Sequence, residues 1–319
     1  MKVGEARAAA IDWVRSTHPG AAYFSGSTVD MPDSAELPVG SDVDIMLVSE
    51  EPTAKLGKFP HRGALLEATY VSTSELASPE EVLSSYHLAH GLRTDTIIAD
   101  PTGFLRPLQA TVGEHFADEV WVRRRCAQAR NRVVEGLRRI DHSAPWHVQV
   151  TSWLFPTGIS THIPLVAALR NPTVRLRYLA VRDLVTPEVH TRLLELLGSA
   201  RLTPQRVSHH VDQLAHTFDA AAAVARTPFP FSTDITPAAR PIAVDASHAL
   251  AASGAHREVM FWITATFARC HLILAADAPE LHRRHFPAFE DVCEDLGITS
   301  SDDLTARATA VLDFLPALS

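Results

Sequence analysis

Ser41-Asp42-Val43-Asp44-Ile45-Met46-Leu47-Val48 is the stretch on which the reading of this 319-residue chain turns. Its apolar, β-branched character predicts a buried strand, and in a strand residues i and i+2 share a face. Asp42 and Asp44 therefore project together while Val43 and Ile45 turn into a core. Two like charges beside a buried strand carry a desolvation cost unless a cation or a hydrogen-bond network compensates them. A hard divalent ion such as Mg2+ suits the task, because it takes carboxylate oxygens and keeps waters or phosphates as its other ligands.

The flanking sequence sharpens this expectation. Ala22-Tyr23-Phe24 is an apolar run that leads into Ser25-Gly26-Ser27, and residues 28–41 separate that turn from Asp42. A third acid, Glu67, stands within a second strand-like run, Ala64-Leu65-Leu66-Glu67-Ala68-Thr69-Tyr70-Val71. A hydrophobic run, a Gly-Ser turn, a spacer, Asp-x-Asp on a strand and an acid on a later strand resemble the signature of the polymerase-β-like nucleotidyltransferases. The resemblance covers roughly the first third of the chain; the spacer, with Pro32 and Pro38, is slightly longer than the usual one. Asp-x-Asp also serves glycosyltransferases, but there it normally follows a longer Rossmann-like half. Acid phosphatases of the Asp-x-Asp type want a Thr soon after, where Met46 and Leu47 stand here. Neither alternative accounts for the Gly-Ser turn.

Composition sets the bounds. Hydrophobic residues make up 46% and charged residues 21%, an ordinary globular balance, and the length is sufficient for two domains. No apolar stretch is long enough to span a bilayer. Cys126, Cys270 and Cys293 are scattered, which fits a reducing compartment and argues against a cysteine zinc site. A cytoplasmic protein is expected. A formal charge of −8 weighs against tight binding to a long nucleic acid. The cations are nearly all Arg, with Lys only at positions 2, 55 and 58.

Hydrophobic periodicity predicts a helix over about 4–17 and strands over 22–24, 43–48, 64–71 and 96–99. Ser78-Pro79-Glu80-Glu81 reads as a helix start, an N-cap followed by Pro and two acids, with the helix continuing to about His90. Beyond about 105 strand signals vanish. Helical patterns cover 119–140, 146–154, 163–170, 174–184, 188–197, 207–225 and 257–275, with Gly198 as a stop. The expected fold is an α/β (α+β) core with a small mixed sheet over residues 1–116, followed by a larger all-α domain over 117–319. That order resembles kanamycin-nucleotidyltransferase-like proteins, whose nucleotide and acceptor meet in a cleft between the two halves.

The resemblance implies Mg2+ as cofactor and an NTP, ATP foremost, as co-substrate. It implies transfer of NMP to a hydroxyl of a small-molecule acceptor, aminoglycoside-like or otherwise sugar-containing, with release of pyrophosphate. Asp42, Asp44 and Glu67 would be the catalytic and metal-binding acids, with Glu67 either a ligand or a general base. Gly26 and Ser27 would approach the phosphates. Arg170 and Arg175, with Arg177, flank the turn at Pro172 and suit a triphosphate, although surface arginines paired with acids read the same way. A homodimer is expected by the same analogy. Two other functions stay open: toxin-like nucleotidylation of tRNA or protein, and nucleotide binding without turnover. His209-His210 and the pair His282 and His285 are expected to be surface or partly buried histidines without a metal role.

Overall fold

The computed structural model describes residues 1–38, 40–51 and 55–318 of the chain. These form two compact units, Met1–Gln128 with Leu169–Pro172, and Ala129–Ala168 with Thr173–Ser319. Position 39, within the spacer before Asp42, lies outside the described residues.

The first unit holds a five-stranded mixed sheet. Its elements run α1 (Val3–Thr17), β1 (Ala22–Ser25), β2 (Val43–Ser49), β3 (Gly57–His61), β4 (Ala64–Ser72), α2 (Pro79–Ser84), β5 (Ile97–Ala99) and α3 (Leu105–His115). The order across the sheet is β3-β4-β2-β1-β5, with only β2 and β4 parallel. Alternation along β2 sorts its side chains. Val43, Ile45 and Leu47 pack with Ala6, Ala9, Ala10 and Val14 of α1. Val48 packs on the opposite face with Val82 and Leu83 of α2 and Leu105, Leu108 and Val112 of α3. Asp44 shares that second face, at the beginning of the strand.

Three local outcomes differ from the sequence expectation, the first being helix α3, which was not among the expected helices. Strand β3 has a weak apolar signal and contains Pro60, but it is an edge strand, where a missing N–H costs no ladder bond. The β3–β4 connection is the two-residue loop Arg62-Gly63, both at positive φ, the conformation of a type I′ hairpin turn. The helix expected to reach His90 stops at Ser84. There the backbone finds other partners: Ser85 Oγ accepts from Leu88 N–H at 3.3 Å, and Gln128 Oε1 accepts from Tyr86 N–H at 2.8 Å.

Helix α4 (Glu119–Arg138) runs from the first unit into the second. The second unit has no strand among its described residues, and its α-helices are α5 (Trp146–Ile159), α6 (His162–Ala167), α7 (Arg177–Val181), α8 (Pro187–Leu197), α9 (Pro204–Val224), α10 (Ala246–Leu250), α11 (Met260–Asp277), α12 (Pro279–Asp295) and α13 (Ser301–Phe314). At its centre α11 is apolar on nearly every side, from Met260 to Leu274, as a helix surrounded by others must be. It packs on α5, α9 and α12. Gly198 ends α8 in the left-handed conformation at φ 98°, so close to Leu296 that a Cβ would stand 2.2 Å from that residue's carbonyl oxygen.

Candidate metal centre

Strand pairing assembles the site. Parallel pairing of β2 with β4 sets Asp44 beside Glu67. Antiparallel pairing of β1 with β2 sets Ser25 beside Asp44. The Arg62-Gly63 turn fixes the last register, placing Lys58 beside Glu67. One row thus crosses four strands as Lys58, Glu67, Asp44 and Ser25. Asp42, two residues before Asp44, joins the same face just outside β2. One oxygen from each of Asp42, Asp44 and Glu67 lies within 4.8 Å of the others. Among the described residues no other group of His, Cys, Asp or Glu meets this spacing.

The turn after β1 approaches the centre closely. Gly26 sits at φ 70° and ψ −162°, a backbone region essentially confined to glycine. A Cβ there would stand 1.7 Å from Asp44 Oδ2. Glycine at 26 is therefore required twice over, by its dihedrals and by the carboxylate alongside. Ser27 is exposed at the start of a single turn of 3₁₀ helix, Ser27–Asp30. That turn is fastened from behind. Arg7 donates to Thr28 O and, at 3.0 Å, to Met31 O, and it pairs with Asp33 at 2.6 Å. Arg93 pairs with Asp30.

Two lysines complete the site, and the sequence reading passed over both. Lys58 Nζ bridges Asp42, at 2.9 Å, and Glu67, and Lys55 Nζ also pairs with Glu67. A signal was present in the sequence. The chain has three lysines among its 29 Lys and Arg residues, and two of them fall between Asp44 and Glu67. Asp44, beside these pairs, has its carboxyl pushed up from 3.8 to about 7. Burial is the main cause and Asp42 the second, opposed by Lys58 and Lys55.

The donor set fits a hard divalent cation. It offers three carboxylates and no sulfur or imidazole, on one face of a rigid sheet, beside a turn that leaves room only for a hydrogen at Gly26. The cost of ionising the buried Asp44 points the same way, since a bound cation would reduce it.

The other expected contacts separate. Arg170 is exposed and belongs to the sheet-containing unit, whereas Arg175 belongs to the helical unit. With burial and Arg125, Arg170 helps to hold His90 near a pKa of about 4. Arg177 is a core residue, 2% exposed, with its guanidinium 4.1 Å from the Phe261 ring centre. The histidine expectation needs one correction: His210 is fully buried, because Asp295 of α12 reaches its Nε2 at 2.8 Å. His282 is partly buried and packs on His271, with the two Nδ1 atoms 3.2 Å apart.

No family model matches this chain, and no curated protein or solved structure matches it either. No helix among the described residues is long and apolar enough to cross a membrane.

Proposed function

We propose that the chain is an Mg2+-dependent nucleotidyltransferase that moves NMP from an NTP to a hydroxyl of a small-molecule acceptor. One observation carries the reading: Asp44 and Glu67 stand side by side on adjacent parallel strands, with Asp42 on the same face and the Gly26 turn pressed against Asp44. Three carboxylates on a sheet beside a glycine turn are a means of holding divalent ions and triphosphate at one point. Mg2+ held there would neutralise phosphate charge and activate the attacking hydroxyl, the division of labour of two-metal transfer sites.

In the proposed reaction the acceptor oxygen bonds to the α-phosphorus while the bond from that phosphorus to the β-bridging oxygen breaks. Pyrophosphate leaves with the electron pair. The hydroxyl proton passes to Glu67 if that residue is the base, or to solvent if it is a ligand. Ser27, exposed beside Gly26, offers a hydroxyl and backbone to phosphate oxygens. Asp42 and Asp44 would hold the cation. The two-unit chain with a mixed sheet and a large helical part is compatible with the kanamycin-nucleotidyltransferase-like order.

The structure also bears on the acceptor. Even with all three carboxylates ionised, the two ammoniums leave one net negative charge at the centre, so local acidity gives little reason to favour a polycationic acceptor over a neutral sugar. Incubating the purified protein with Mg2+, each α-labelled NTP in turn and fractionated small-molecule extract tests the proposal. Label entering a small molecule with release of pyrophosphate supports it. Label entering RNA or protein redirects it to toxin-like nucleotidylation, and binding without release of pyrophosphate leaves a nucleotide-binding module.

A further inference from the structure

We infer that Lys58 is a built-in counter-ion of the carboxylate centre: its ammonium holds the cation position between Asp42 and Glu67, and a divalent ion displaces it. The inference rests on the metal-binding part of the preceding proposal and is independent of what is transferred.

The geometry singles out Lys58. Its ammonium touches two of the three candidate ligands, 2.9 Å from Asp42 Oδ2 and in contact with Glu67 Oε2, and its side chain is only 8% exposed. Lys55 also pairs with Glu67, from a side chain 29% exposed. The β3–β4 hairpin fixes the position, since Lys58 is the register partner of Glu67. A cation between two carboxylates on this face therefore occupies ground that a metal using the same oxygens needs. Lysine suits a replaceable plug. Its compact ammonium fills the place of an ion, and four rotatable methylenes let it withdraw without moving the strand. A planar guanidinium would clamp a carboxylate bidentately; this chain is dominated by arginine, yet both cations here are lysine.

The consequence is a competition. Each divalent ion that binds must first separate an ammonium from Asp42 and Glu67, which weakens apparent metal affinity and keeps the acids compensated until the metal arrives. Removing the positive charge deepens the negative potential at the ligands and removes the competitor at once. At contact distances and an effective dielectric constant near 20, that gain amounts to at least about tenfold in affinity.

Only three lysines exist in the chain, so protein labelled with 13C at lysine Cε gives three resonances, each assignable by one substitution. Titration of wild-type protein with Mg2+ is expected to move the Lys58 resonance strongly and to leave Lys2 in place. In parallel, Mn2+ binding followed by electron paramagnetic resonance is expected to be at least about tenfold tighter in Lys58→Met than in wild type, while Lys58→Arg, which keeps the charge, binds no tighter than wild type. A Lys58 resonance unmoved at Mg2+ concentrations that displace bound Mn2+ overturns the inference and spares the metal centre. Absence of Mn2+ binding in both wild type and Lys58→Met overturns the inference and the metal centre together. The lysine titration uses the unaltered chain, so a variant that fails to fold does not shelter the idea.

Discussion

Gly26→Ala tests how the centre is built, because both of its costs can be worked out in advance. The dihedrals, φ 70° and ψ −162°, lie where a residue with a Cβ is strained by about 1–3 kcal/mol. The new methyl carbon would stand 1.7 Å from Oδ2, 2.5 Å from Cγ and 2.9 Å from Cβ of Asp44. The carboxylate must therefore leave its rotamer, at roughly 0.5–1.5 kcal/mol. Together the destabilisation is about 2–4 kcal/mol, or on the order of 5–15 °C in Tm for a unit of this size. Calorimetry measures the loss, and Mn2+ titration of the same sample should show that metal affinity falls with it. Adding Asp44→Gly to Gly26→Ala relieves the collision but not the dihedral strain, so a double-mutant cycle should return about 1 kcal/mol of coupling. The reasoning is refuted if Gly26→Ala lies within about 0.5 kcal/mol of wild type and binds Mn2+ equally well.

Other expectations follow from the same residues. Asp42→Asn, Asp44→Asn and Glu67→Gln should each reduce labelled-NMP transfer by at least about 100-fold while circular dichroism and the cooperative melt persist; full activity in any of them removes that residue from the centre. Asp44 has a raised folded pKa, so its contribution favours folding below the unfolded value of 3.8 and is lost as pH rises through about 7. Metal-free wild type should therefore lose stability relative to Asp44→Asn between pH 4 and 7, and Mg2+ should cancel the difference; parallel Tm-against-pH curves would contradict this. Because a proton competes with the metal at the same carboxylates, Mn2+ affinity should fall as pH drops through that range, and a flat profile would show that Asp44 is not a ligand. Gly198→Ala, whose Cβ would collide with Leu296 O, should cost about 2–3 kcal/mol of stability and leave Mn2+ affinity unchanged.

The legibility of the centre in the sequence has a physical basis. Strand periodicity is two, so Asp42 and Asp44 had to share a face once Val43 and Ile45, which are fully buried, were assigned to the core. Gly26 stood out as the small residue after an apolar run, although its closeness to Asp44 depends on β1 pairing with β2, which sequence spacing alone does not specify. Lys58 was illegible for a related reason. Its place beside Glu67 comes from a hairpin whose first strand, Gly57-Lys58-Phe59-Pro60-His61, carries one large apolar residue and a proline. Helix α2 was overextended because Leu83, Tyr86 and Leu88 keep helical spacing while Ser85 and Gln128 offer the backbone better partners. In the helical unit the periodicity marked α5, α8, α9 and α11, whereas α12 and α13 were not among the expected helices. The hydrogen bond between buried His210 and Asp295 was not legible, since it joins residues 85 apart in sequence.

Crystallographic location of Mn2+ by its anomalous signal, with a non-hydrolysable NTP, tests the central claim most directly. The account predicts a peak within about 2.2 Å of carboxylate oxygens from Asp42 and Asp44, with Glu67 in the same cluster or beside the acceptor position, and with the Lys58 ammonium withdrawn from Asp42. Lys58 still bridging Asp42 and Glu67, and no anomalous density at the three acids under saturating Mn2+ and NTP, would contradict it.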